Sequence, residues 1–408
     1  MQQESKKLPR KADDLFQKCR EWTVAKEVMA TGYYPYFRPI SSALGDEVVV
    51  AGKEMIMIGS NNYLGLVGDP RVKEAAANAT LKYGSGCTGS RFLNGTLDLH
   101  IELEERLAKF MNREAALVFS TGFQTNLGTI SCLVGRDDII LIDRSDHASI
   151  VDGCRLAYGK IMKYAHNDMD DMERVLDIAY NNGLRGGILI ITDGVFSMEG
   201  DIADLPRMCD IAENYGARVM VDDAHSIGVL GSGGRGTAEH FGLSDRVDLI
   251  MATFSKSFAS LGGFICGDED TLHYVKHFAR ELIFSASIPP GAAAAALAAL
   301  DIIETEPERR ENLWKNTRKM HQGLRELGYN IGDTQTPVVP IMIGDDMTCF
   351  KLWKDLSDEG IFANAIVPPA VAPKMSLIRT SYTATHTDQQ LDRVLDAFAR
   401  LGKKYNIV

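Results

Sequence analysis

The chain has 408 residues, long enough for two or three domains with sizeable cores. Its 45% hydrophobic and 24% charged residues fit a water-soluble globular protein, and a formal net charge of −11 disfavours nonspecific nucleic-acid binding. Seven scattered cysteines without a Cys-x-x-Cys pair suggest neither a zinc site nor a disulfide framework; they fit a reducing, cytoplasmic compartment.

The first residues carry charges but no apolar signal-peptide core, and no apolar run reaches the roughly 18 residues of a membrane span. Residues 1–30 read as a basic amphipathic helix with Leu15, Phe16, Trp22, Val24 and Val28 among lysines and arginines. Such a segment packs on its own protein or a partner, or lies weakly on the inner face of a membrane. The proline-rich 34–39 predicts an extended arm, and 48–58 a small hairpin around a Gly-Lys turn. Asn62 falls in the polar turn that follows. Tyr83–Gly95 has too many glycines for a regular element and predicts a backbone-shaped loop; apolar residues at 99, 103, 107 and 110 predict a helix.

From there short apolar runs alternate with helical stretches. Strands are predicted over 116–119, 139–142, 161–164, 187–192, 218–222, 248–252 and 262–266, with helices such as 169–181 and 205–215 between several of them. This order predicts an α/β fold with a mainly parallel sheet covered on both faces. Beyond Pro289-Pro290 the texture changes to two helices, two short strands and a final helix, which predicts a smaller α+β domain. The expected organisation is an N-terminal helix and arm over 1–55, a large domain over 56–290 and a small one over 291–408.

Several predicted strands end in polar chemistry, where open α/β sheets place ligands. The first run leads into Ser120-Thr121-Gly122-Phe123, where a helix start would offer free N–H groups to an anion. The second leads to His147. The fourth leads into Asp193-Gly194-Val195-Phe196-Ser197, a surface loop on its ordinary reading. The fifth runs straight into Asp222-Asp223-Ala224-His225; a carboxylate emerging from an apolar strand needs a cation or a salt bridge. The sixth ends in Thr253-Phe254-Ser255-Lys256, hydroxyls beside a lysine able to form a Schiff base. Each signal has a bland reading of its own. Together they make the inventory of a pyridoxal 5'-phosphate site.

These motifs, with Val195–Asp201, the 84–95 loop and the 284–290 stretch, resemble the α-oxoamine synthases among the fold-type I pyridoxal-phosphate transferases, from about residue 30 to the end. The resemblance implies a homodimer with shared active sites. It also implies decarboxylative condensation of an amino acid with an acyl-CoA, here L-serine with long-chain palmitoyl-CoA, giving 3-oxosphinganine, the first step of sphingolipid synthesis. Lys256 would hold the cofactor and remove the Cα proton. Asp222 would protonate the pyridine nitrogen, His225 would bond the ring hydroxyl, and His147 would stack on the ring. Gly122, Phe123, Thr253 and Ser255 would surround the phosphate, and Ser285 would reach the partner's. Ser197 would lie near the ring. Arg379 would engage the substrate carboxylate, with Asn62 as a further substrate contact. Some relatives carry a second arginine before Arg379; residues 366–371 here have none. Sister enzymes such as glycine C-acetyltransferase or 8-amino-7-oxononanoate synthase, and an aminotransferase of the same fold, stay open as alternatives.

Overall fold

The computed structural model describes residues 13–408. Part of the predicted N-terminal helix therefore lies outside the described residues. The rest is two short helices, Gln17–Glu21 and Val24–Ala30, neither with a buried residue. Leu15, Phe16, Trp22 and Val24 are exposed.

A hairpin, β1 (Glu47–Val50) and β2 (Lys53–Met57), precedes the large sheet. That sheet contains β3 (Ala115–Phe119), β4 (Ile139–Asp143), β5 (Lys160–Tyr164), β6 (Ile188–Asp193), β7 (Arg218–Asp222), β8 (Leu249–Thr253) and β9 (Gly263–Gly267). Their order is β3-β9-β8-β7-β6-β4-β5. All neighbours are parallel except β9, which runs against both β3 and β8. The expected mainly parallel sheet is thus present, with β9 as its single reversed strand. The reversal follows from the short link between β8 and β9, since a parallel return needs a crossover of a dozen or more residues.

Successive residues of the central strands feed opposite cores. Ile139, Leu141, Ile188, Ile190, Val219 and Val221 pack on one side; Ile140, Ile142, Leu189, Ile191 and Met220 pack on the other. A strand buried on both faces reads as an unbroken apolar run because neither face meets water.

The remaining strands are β10 (Val338–Gly344), β11 (Ile361–Phe362), β12 (Asn364–Ile366) and β13 (Ser376–Ser381). β13 lies between β10 and β12, while β11 pairs in parallel with β2. The core packing departs from the expected boundaries on both sides. The N-terminal hairpin joins the C-terminal part, with Ile56 and Ile58 packed among Val339, Trp353, Ile378 and Phe398. Arg38 reinforces the union, its guanidinium 5.2 Å from the Trp353 ring centroid and 4.9 Å from that of Phe362. The alanine-rich helix Pro290–Thr305 buries Ala293, Ala296, Leu297 and Leu300 in the large core, so the Pro-Pro step opens a helix of the large unit. Helix Pro307–Glu326 spans both, with Leu313 in the first core and Met320 and Leu324 in the second.

Among the described residues, no helix is long and apolar enough to cross a membrane.

Candidate active site

The carboxyl ends of β6, β7 and β8 converge on the start of helix Gly122–Leu133. They line a cavity of about 280 Å³ whose walls include Gly122, Phe123, His147, Asp193, Asp222, His225, Thr253, Ser255 and Lys256. Residues at or just beyond the ends of β3, β4, β6, β7 and β8 meet here because strands that run the same way deliver their last residues to one edge of the sheet.

Thr121 caps the helix, its hydroxyl accepting from Gln124 N–H at 3.1 Å. The N–H groups of Gly122 and Phe123 belong to the first turn, which leaves them without intrahelical acceptors. Gly122 permits the close approach of β8: a Cβ there would meet Thr253 Oγ1 at 2.7 Å. Thr253 Oγ1 is also 3.0 Å from Ser255 Oγ. Two free amides, two hydroxyls and a helix N-terminus form a cup for a phosphate.

Asp222, only 2% exposed, ends β7. Its Oδ1 accepts from Ala224 N–H at 2.9 Å and its Oδ2 from Asn126 Nδ2 at 2.7 Å. Each carboxylate oxygen has capacity for a further donor. His225 follows, with Nδ1 2.6 Å from the Tyr63 hydroxyl. Burial, helped by Lys256 and Arg379, lowers its pKa far enough to keep the imidazole neutral. His147 caps helix Ala148–Leu156, its Nδ1 accepting from Ser149 N–H at 3.2 Å. Its own backbone N–H donates to Asp193 Oδ2 at 2.7 Å. Burial lowers its pKa too, opposed by Asp222 and assisted by Lys256.

Lys256 faces this group of carboxylates and imidazoles. Burial pulls its pKa down to about 8, against the attraction of Asp222 and Asp193. A lysine so placed has a usable free amine near neutral pH. Burial pushes Asp193 and Asp146 well above the usual carboxyl range, with like charges adding to it. Asp146 Oδ1 in turn accepts from Asp193 N–H at 2.9 Å.

Arg379 on β13 is 5% exposed and lies outside the cavity wall. It donates to Ser197 O at 2.7 Å, Ser381 Oγ at 3.1 Å and Asn61 Oδ1 at 3.0 Å. Ser197 thus meets Arg379 through its carbonyl rather than contributing a side chain to the wall. Asn61, not Asn62, meets the arginine; Asn62 Oδ1 accepts from Val67 N–H at 3.3 Å and holds the turn. Ser285 also lies outside this wall, its hydroxyl 3.0 Å from Gln124 Nε2.

Asn126, Tyr63, Asn61 and Asp193 received no role from the sequence. Asn126 alone left a periodic signal: it is one helical turn beyond Gly122, on the same face. The donor set fits pyridoxal phosphate: the amide and hydroxyl cup, a carboxylate held at a strand end, two imidazoles whose pKa burial lowers, and a depressed lysine amine.

A family model for aminotransferase class I and II matches residues 53–398. The chain is 53% identical over 393 residues to a serine palmitoyltransferase of Sphingobacterium spiritivorum, covering 96% of this chain and 98% of that one. It is 49% identical to the serine palmitoyltransferase of Bacteroides thetaiotaomicron, covering 97% and 99%. An 8-amino-7-oxononanoate synthase of Symbiobacterium thermophilum is 45% identical, covering 92% and 96%. A solved serine palmitoyltransferase structure holding pyridoxal phosphate superposes with a TM-score of 0.93 at 36% identity, covering 97% of this chain and all of that one.

Proposed function

Because the chain belongs to the class I and II aminotransferase family, and within it to the α-oxoamine synthases, we propose that it condenses L-serine with a long-chain acyl-CoA. Palmitoyl-CoA is the proposed donor; the products are 3-oxosphinganine, CoA and carbon dioxide. The observation that carries this reading is identity of 49–53% to serine palmitoyltransferases over more than nine-tenths of the chain.

Pyridoxal phosphate, when bound, supplies an electron sink for the substrate carbanion and for the loss of carbon dioxide. The chain's own residues have the following proposed parts. The amides of Gly122 and Phe123 with the hydroxyls of Thr253 and Ser255 bind the phosphate. Asp222 keeps the pyridine nitrogen protonated, and His225 hydrogen-bonds the ring hydroxyl. His147 is the ring-facing group. Lys256 Nζ anchors the cofactor and then takes the proton from the serine Cα, for which a pKa near 8 suits it. Arg379 binds the serine carboxylate, the planar pairing that a guanidinium favours. A cavity of about 1040 Å³ is lined partly by Met198, Pro368, Val371, Met375 and Leu377 and partly by charged residues such as Arg144, Glu199, Asp201 and Asp333; its apolar part is the proposed place for the acyl chain.

The proposed setting is a cytoplasmic homodimer in sphingolipid synthesis. Leu93 and Phe284 are 78% and 75% exposed, on segments joined by the Ser287 N–H to Gly89 O bond, and suit a face between copies. Ser285, beside Phe284, is the residue proposed to reach the partner's phosphate. The exposed apolar side chains near the N-terminus suit weak peripheral attachment to a membrane.

A second reading, an 8-amino-7-oxononanoate synthase, has the 45% relative in its favour. The deciding experiment pairs serine, glycine and alanine each with acetyl-, succinyl-, pimeloyl- and palmitoyl-CoA on cofactor-loaded protein. CoA release with serine and palmitoyl-CoA, with a product mass lacking carbon dioxide, is expected. Release only with alanine and pimeloyl-CoA would move the protein to the second reading.

A further inference from the structure

Tyr63 stands behind His225, with no exposed surface and no place in the cavity wall. Its hydroxyl has three neighbours, one of which, the Arg379 guanidinium, can only donate to the phenol oxygen. His225 Nδ1 is at 2.6 Å. Asn61 Oδ1 is at 3.4 Å, long for an O–H···O bond, and already accepts from Arg379 Nη2 at 3.0 Å. Burial, opposed by Arg379, raises the phenol to about 12, so it keeps its proton at neutral pH. A phenol has a single hydrogen to give, and the short contact to Nδ1 is where it goes.

His225 is neutral for the reasons given above, so its ring carries one N–H. The nitrogen that accepts from Tyr63 cannot be the one that holds that hydrogen. We propose that Tyr63 is a positioning residue: by donating to Nδ1 it fixes His225 as the Nε2–H tautomer and presents a hydrogen-bond donor, not an acceptor, to the cavity. Arg379 supports this choice by donating to Asn61 Oδ1, and the competing contact to that oxygen is long at 3.4 Å. The chain Arg379, Asn61, Tyr63, His225 thus runs from the proposed carboxylate site to the proposed ring contact. The group His225 meets must therefore be an acceptor, as an ionised ring hydroxyl is. This consequence rests on the cofactor reading above; the tautomer itself does not.

The reverse arrangement has His225 Nδ1–H donating to the Tyr63 oxygen and Tyr63 donating to Asn61. It would leave Nε2 as an acceptor. Long-range proton–nitrogen NMR on the ¹⁵N-histidine-labelled chain separates the two, with His225→Gln identifying the signal. The Nε2–H pattern is expected; an Nδ1–H pattern overturns the proposal. Tyr63→Phe keeps the ring and removes the donor. In folded, cofactor-loaded Tyr63→Phe the expected results are a changed His225 pattern, a displaced visible band of the bound cofactor, and kcat lower by about tenfold with the serine KM within about twofold. An unchanged band and an unchanged His225 pattern overturn the proposal. A native chain that shows no cofactor band at all overturns the cofactor reading instead, and the tautomer of the cofactor-free chain still decides the role of Tyr63.

Discussion

Asn126 Nδ2 lies 2.7 Å from Asp222 Oδ2 and 2.8 Å from Ser149 Oγ, all three side chains being buried. The amide fixes the plane of the carboxylate and leaves Asp222 aimed into the cavity. Charged acceptors gain more from such a bond than neutral ones.

Asn126→Ala is expected to weaken pyridoxal-phosphate binding by about 1–3 kcal/mol, the range for a lost hydrogen bond to a charged group. Titration of the cofactor-free variant by visible absorption measures it. Unchanged affinity would mean that Asp222 holds its orientation without the amide.

Gly122→Ala puts a methyl 2.7 Å from Thr253 Oγ1 and 2.8 Å from its Cβ. The first turn must then move away from β8, at an overpacking cost of about 1–3 kcal/mol. The variant is expected to fold with the native circular dichroism and to retain less cofactor through gel filtration.

Lys256 gives a prediction with a pH sign. Its pKa falls from the usual 10.5 to about 8 in the folded chain, chiefly through burial. Between those values the unfolded chain binds the extra proton, so stability of the cofactor-free chain rises with pH across this window; below about 8 the penalty is fully present. Lys256→Met should flatten that rise in urea titrations. Lys256→Ala should abolish the visible band of washed protein, and rebinding of pyridoxal phosphate by the native chain should accelerate through a midpoint near 8. A native-like band in washed Lys256→Ala would remove the lysine from its proposed role.

His166 behaves in the opposite sense. Burial lowers its pKa, but Asp143 at 3.1 Å and Asp201 at 3.2 Å together raise it to about 10. Protonation therefore favours the folded chain. The contribution is complete below the usual 6.5 and is lost as pH rises through about 10. The stability gap between the native chain and His166→Ala should narrow over that range; a constant gap would mean that the imidazole contributes by packing on Phe196 alone.

Arg379→Ala should raise the serine KM by tenfold or more, about the loss of one charge-assisted pair, while pyridoxal phosphate stays bound. Loss of the cofactor instead would make Arg379 a structural residue whose bonds to Ser197 O and Asn61 hold the site together.

Most strands of the large sheet were legible because they are runs of apolar residues buried on both faces, and such runs survive any choice of neighbour; the edge strand β5 is the exception, with two lysines and mostly exposed residues. The direction of β9 was less so: its residues, Gly263–Gly267, are as buried as those of the parallel strands, and direction leaves no mark on composition. Helix Pro290–Thr305 was placed in the wrong unit for a related reason. Its alanines pack closely on helix Pro70–Tyr83, and a proline pair that opens a helix reads the same as one that ends a domain.

The sequence by itself determined the chemistry available at the strand ends. Lys256, Asp222, His225 and His147 each follow or end an apolar run, and a strand's last residue points where the sheet's edge points. Only the tertiary structure decided which neighbours tune those groups. Tyr63 reaches His225 across 162 residues and Asn126 reaches Asp222 across 96. It also placed Asn61 against Arg379, while Asn62, the expected substrate contact, holds the turn through Val67 N–H. The physical reason is range: burial and periodicity are written locally along the chain, whereas hydrogen-bond partners are set by how separate elements pack.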